Sequence, residues 1–167
     1  MDSRKTYTIA DVERVVGVKR HVIDYWCKSL PPLANKPTRE RVARRFIRQD
    51  VLFLIAIGAL TSEYGIKVEA IGAFALKLHA LLGPSPDELR PYCIFLPPGR
   101  RDVLLTETHA RAQAGTYLPL TPVVDKLLAF LDVLPPTPQS DTNVISLQQP
   151  REAGDIAAKP QTAVKSP

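Results

Sequence analysis

The sequence predicts an α+β chain, mainly α with a small β component, in three parts spanning residues 1–82, 83–134 and 135–167. Three observations carry that expectation. Apolar residues recur at helical spacing through most of the first part. Two short strand-like runs, Tyr92–Leu96 and Val103–Thr106, flank a Pro-Pro-Gly turn in the second. From Pro135 onward the chain is Pro, Ser, Thr, Gln and Ala with scattered apolar residues. Such a segment buries too little surface to offset chain entropy, so a disordered tail is expected.

The first helix is expected to start at Thr8, a good N-cap answered by Asp11 three residues later in a capping box. Ile9, Val12, Val15 and Val16 form its apolar side, and Gly17 supplies the left-handed residue that ends it. A second helix follows at once. Lys19, Arg20 and His21 open it, Val22, Ile23, Tyr25 and Trp26 are read as its apolar side, and Leu30-Pro31-Pro32 stops it. Helix, glycine turn and helix in so few residues is the spacing of a helix-turn-helix. The pattern alone is common. The chemistry is more specific, since Lys19, Arg20 and His21 sit where a recognition helix would meet base edges and phosphates.

Periodicity disappears between Leu33 and Ile47, where Arg39, Arg41, Arg44 and Arg45 accompany the apolar anchors Val42 and Phe46. A β-hairpin or extended wing straddling phosphates is one reading; a solvated charged linker is the other. Asp50–Leu60 is apolar nearly all round, so a helix here must be buried on more than one side. After Tyr64-Gly65, a single further helix is expected with Val68, Ile71, Phe74, Ala75, Leu78, Leu81 and Leu82 as its stripe, stopped by Gly83-Pro84. That stripe either closes the same core or pairs with a second subunit. Asp87-Glu88 are natural first-turn residues of a short helix. In the second part, Thr121 is expected to cap a helix with Pro122 at its first position and Val124, Leu127, Leu128 and Leu131 on its apolar face.

Charge sharpens the functional expectation. Residues 1–50 carry twelve Lys and Arg against six Asp and Glu, whereas the remainder carries ten against eleven. A basic field confined to one region attracts polyanions, nucleic acid first among them. At 45% hydrophobic and 23% charged the composition is that of a globular chain. No run of eighteen apolar residues exists, so no membrane span is expected. The N-terminus lacks the apolar stretch of a secretory signal. Cys27 and Cys93 are expected to be reduced thiols in a cytoplasm.

Residues 7 to about 71 resemble the winged helix-turn-helix of the MerR family of bacterial transcription regulators, and the likeness is taken to extend to 82. The matching pieces are Tyr7-Thr8-Ile9, Gly17-Val18, Tyr25-Trp26, Arg44-Arg45-Phe46, then Asp50, Leu54, Ile57 and Leu60, and last Gly65-Ile66-Lys67-Val68-Glu69-Ala70-Ile71. The resemblance implies double-stranded DNA as partner, a homodimer, RNA polymerase as a further contact, and a place in the bacterial nucleoid. It also implies that the Tyr25 hydroxyl reaches phosphate. Asp24 departs from the family pattern, which places a phosphate-contacting arginine before the aromatic pair; Lys19 and Arg20 are expected to take over that contact. The family's long coiled-coil helix has no counterpart here, because no heptads are sustained. Residues 83–134 are therefore read as an oligomerisation unit, an effector sensor or a protein contact.

Lys19, Arg20, His21, Tyr25, Arg39, Arg41, Arg44 and Arg45 are thus the expected DNA-binding residues, in a sequence-specific transcriptional regulator of bacterial or phage type. An architectural DNA protein of excisionase or phage-packaging type, and an adaptor whose helix-turn-helix has lost DNA binding, are the alternatives; Asp24 is the feature that points to the last. No catalytic signature, no glycine-rich phosphate loop and no cofactor is expected. Cys93 with His109 is too few ligands for a metal site, and Cys93 reads as a small buried hydrophobe on a strand.

Overall fold

The computed structural model describes residues 5–34, 43–99, 101–108 and 113–133. The expected tail, 135–167, lies outside the described residues, as do Arg39 and Arg41. Helix α1 (Ile9–Val16) begins as its capping box demands: the Thr8 backbone N–H donates to Asp11 Oδ2 (2.9 Å) and the Asp11 N–H to Thr8 Oγ1 (3.3 Å). Gly17 closes it at φ 82°, with its N–H on the Glu13 carbonyl (2.9 Å). A side chain there would carry the left-handed penalty, so glycine fixes both the end of α1 and the short turn into α2 (Arg20–Ser29). Ile23, Trp26, Cys27 and Leu30 form the buried i, i+3, i+4, i+7 stripe of α2. The chain then makes a single helical turn, α3 (Pro31–Ala34), which opens on the two prolines that follow the end of α2.

Helix α4 (Arg48–Ser62) is the spine, and its apolar circumference has the expected cause: α1, α5, α6 and α8 all touch it. Gly58 permits the close approach of α1. A Cβ at Gly58 would lie 3.0 Å from Val16 Cγ1 and 3.9 Å from Trp26 Cη2. At the other end Asp50 is fully buried. Its Oδ2 accepts the Ile47 N–H (2.9 Å), while Oδ1 lies 2.9 Å from Nε2 of His79.

The single helix expected after Gly65 is in fact two, α5 (Val68–Gly72) and α6 (Ala75–Leu81). Phe74 interrupts them at φ −125°, ψ 7°, and the intervening bonds tighten to Ala73 N–H on Ala70 O and Phe74 N–H on Ile71 O. Gly72 and Ala73 add little side-chain packing to resist the break. The break still keeps Ile71, Phe74, Ala75 and Leu78 in the core. Ser85 then caps α7 (Pro86–Leu89), accepting the Glu88 N–H (3.4 Å) while Glu88 Oε2 accepts the Ser85 N–H (2.8 Å).

Strands β1 (Tyr92–Leu96) and β2 (Leu104–Glu107) pair antiparallel as expected, with Ile94 opposite Leu105. A third strand, β3 (Thr116–Pro119), lies on the other side of β1 with Ile94 opposite Leu118, giving the order β2-β1-β3. Phe95 and Tyr117, partners in that register, stack at 4.6 Å between ring centroids. Gly115 makes the stack possible, since a Cβ there would fall 2.3 Å from Phe95 Cε2.

Helix α8 (Leu120–Val133) starts at Leu120, one residue before the expected cap. Thr121 is not a cap: its hydroxyl donates to the Arg90 carbonyl (2.8 Å), fastening α8 to the end of α7. Leu118, Leu120, Val123, Val124 and Leu127 join Val12, Trp26 and the α4 side chains in one continuous core. No described helix is long and apolar enough to cross a membrane.

Candidate nucleic-acid interface

The first turn of α2 is exposed and holds no acid of its own. Lys19 is the N-cap residue in extended conformation (φ −68°, ψ 149°) with no side-chain cap bond, and Arg20 and His21 follow it into solvent. The unpaired N–H groups of a helix start carry partial positive charge, which the three side chains reinforce. Glu13 of α1 satisfies one of them, its Oε1 accepting the Arg20 N–H at 3.3 Å.

Asp24 is an i+4 neighbour of Arg20, with Oδ2 3.8 Å from Nε and side-chain exposures of 49% and 69%. An exposed pair of this kind contributes about 1 kcal/mol at most. It therefore tempers the Arg20 charge without tying the guanidinium down.

Tyr25 does not belong to the apolar side of α2, contrary to the expectation from periodicity. It is 45% exposed, because the buried stripe runs through Ile23, Trp26 and Cys27 and leaves Tyr25 a turn-angle away from it. Its hydroxyl donates to Glu69 Oε1 on α5 at 2.8 Å. The bond raises the Tyr25 pKa, chiefly because the phenol is held as a donor to a carboxylate. Glu69 moves down, first through its own backbone N–H and then through the Tyr25 hydroxyl. Sequence reading missed Glu69 as a partner; 44 residues separate the two, and no local signal joins them.

The arginine-rich segment re-enters the described residues at Ala43 and runs extended to Ile47. Tyr7 and Phe46 form an antiparallel bridge, the Tyr7 N–H donating to Phe46 O (2.8 Å) and the Phe46 N–H to Tyr7 O (2.9 Å). Alternation along it puts Phe46 in the core and Arg45 in solvent. Of the two arginines, it is Arg44 and not Arg45 that rests on the domain. Arg44 Nη1 donates to the Cys27 carbonyl at 3.2 Å, placing a cation at the negative end of α2. Burial pushes the Cys27 thiol pKa up, with Arg44 opposing that shift.

Cys93 is buried on β1 with its thiol 3.5 Å from Thr108 Oγ1, in keeping with a small apolar residue. His109 lies outside the described residues, and among the described residues no three His, Cys, Asp or Glu gather as a metal site.

Two helices set by a left-handed glycine, the second offering exposed cations on its first turn, define a helix-turn-helix of the kind carried by DNA-binding transcription regulators. Residues 7–76 match the family model described as the MerR HTH family regulatory protein, so the N-terminal part of this chain is a MerR-like helix-turn-helix. No curated protein matches the chain.

Proposed function

We propose that the protein is a sequence-specific regulator of bacterial or phage transcription that lays α2 in the major groove of double-stranded DNA. The observation that carries the reading is the solvent-facing first turn of α2, where Lys19, Arg20 and His21 meet the positive helix end. Arg20 and His21 reach base edges or phosphates from that turn, and Lys19 takes the flanking backbone. Arg45, with Arg39 and Arg41, grips phosphates beside the groove as a wing. Arg44 acts differently: it holds the extended segment against α2 and contributes to the field from there. Tyr25 supplies a hydroxyl to phosphate once Glu69 lets it go. The cytoplasm is the compartment this reading requires, and the bacterial nucleoid the location within it.

One module of this size makes a small interface, so two copies on a palindromic or repeated site are the expected functional form. Half-sites one helical turn apart, about 34 Å, would follow from that symmetry. Residues 83–134 are assigned the oligomerisation or effector role, with RNA polymerase as the further partner. Selection of DNA from a random library by the purified chain tests binding and half-site spacing together. Titration at several salt concentrations then separates the contacts: Arg20→Ala and Arg45→Ala should each lower the slope of log K on log[salt] by about 0.9. Unchanged slopes in both would remove this surface from consideration, and failure to enrich any sequence would favour the architectural or adaptor readings.

A further inference from the structure

We propose that the cavity between the α1–α2 turn, α4 and α8 binds a small monocarboxylic acid with an apolar body, whose carboxylate is taken by Lys126. The cavity measures about 240 Å³, with Val16 and Val18 at the turn, Ile55 and Ala59 on α4, and Val123 and Lys126 on α8 around it. Ligand sites for drug-sized molecules run from about 300 Å³ upward, so the occupant is smaller than those.

The charges at its edge define the ligand class. Lys126 Nζ donates to the Val16 carbonyl at 3.1 Å. An ammonium has three donors, so that contact leaves the group able to accept a carboxylate as a partner. Glu63 is the other charged residue in the wall. It repels a second negative charge, which selects a monoanion over a dicarboxylate or a phosphate ester. Apart from Ser62, whose hydroxyl donates to the Gly58 carbonyl (2.7 Å), the remaining wall is apolar and suits a short hydrocarbon or phenyl body.

The position matters as much as the chemistry. Val16 is the last residue of α1, and Gly17 begins the turn that sets the direction of α2. A carboxylate on Lys126 shares the ammonium that also holds the Val16 carbonyl, and through it acts on that turn. This regulatory consequence rests on the DNA-binding reading above; the ligand site does not.

The protein carries its own reporter, because its one tryptophan, Trp26, lies beside Gly58, another wall residue. The full chain is titrated with octanoate and with phenylacetate, and separately with octan-1-ol and 2-phenylethanol, by calorimetry and Trp26 emission. Saturable binding of at least one acid is expected, with its alcohol weaker by roughly tenfold or more, the loss of a charge-assisted bond. Lys126→Met should weaken the acid by the same factor and leave the alcohol unchanged, Lys126→Arg should retain acid binding, and Ala59→Leu should exclude acid and alcohol alike. Lys126 is exposed, so Lys126→Met is expected to melt near wild type and decides the matter even if Ala59→Leu fails to fold. No saturable binding of either acid at millimolar concentration, or wild-type acid affinity in Lys126→Met, would overturn the proposal. Acid binding without any DNA binding removes the regulatory reading and keeps the site; DNA binding without acid binding does the reverse.

Discussion

Asp50 and His79 are joined at 2.9 Å across the junction of α4 and α6, and the carboxylate of the pair is wholly buried. Its second oxygen holds the Ile47 N–H, so one side chain starts α4 and fastens α6 to it. Gln49 extends the cluster with a 2.6 Å bond to the His79 carbonyl. Asp50→Ala should destabilise the protein by about 1–3 kcal/mol, because it takes the buried acceptor away from two partly buried partners. Urea denaturation checks this; a change below about 0.5 kcal/mol would mean that water or backbone movement replaces the carboxylate.

The Tyr25–Glu69 bond predicts a gain of function. Glu69→Gln removes an acid beside α2 and weakens the hold on the phenol, so DNA affinity should rise about threefold, the worth of one exposed hydrogen bond. Tyr25→Phe in the Glu69→Gln background should cancel the part of the gain that belongs to the hydroxyl. Fluorescence anisotropy on the selected DNA measures both. Equal gains with and without the hydroxyl would show that charge alone is responsible.

Asp24 gives a second prediction of opposite design. Asp24→Arg replaces an acceptor that DNA repels with a phosphate donor and frees Arg20. The salt slope should steepen by about 0.9. If affinity falls instead, Asp24 faces a base donor and belongs to the readout.

Acid should weaken the fold through Glu69 and Glu88. Glu88 is lowered first by the Ser85 backbone N–H and then by its hydroxyl, while Glu69 is lowered by its own N–H and by Tyr25. A carboxyl whose folded pKa is depressed contributes stability above its ordinary value of 4.5, lost as pH falls through the folded pKa. Tyr25 runs the other way: its raised pKa contributes below its ordinary value of 10.0 and is lost as pH climbs through the folded pKa. Melting temperature against pH should therefore drop at both ends, and Glu88→Gln should flatten the acid limb only.

Gly115→Ala should cost about 1–3 kcal/mol, because the new methyl meets the Phe95 ring and the ring is already stacked on Tyr117. Thermal melts with near-ultraviolet dichroism would register both the loss and the disturbed stack. Wild-type spectra and stability would imply that the chain at Gly115 shifts away from both the Phe95 ring and the Leu96 carbonyl at little expense.

What the sequence made legible was local. The Thr8–Asp11 box, Gly17, the all-round apolar α4 and the β1–β2 pair each rest on neighbours in the chain, and each is found. Tyr25 was misplaced because a ten-residue helix gives periodicity few positions to work with. Strand β3 went unread because four residues ending in proline carry almost no alternation. Arg44 and Arg45 could not be told apart in sequence, since their roles depend on the Tyr7–Phe46 bridge that turns one toward Cys27. The Asp50–His79 and Lys126–Val16 contacts join residues 29 and 110 positions apart, and nothing in composition announces them.

The seat of α8 against α1 and α4 carries a consequence for how such a protein can change over generations. In a chain assembled from beads on a string, a sensory module can be exchanged by recombination while the DNA reader stays intact. Here Val123 and Leu127 fill the same interior as Val12 and Trp26, so a cut between them would strip the lining from both sides. The two parts therefore line one interior, and neither is expected to be exchanged without rebuilding the other.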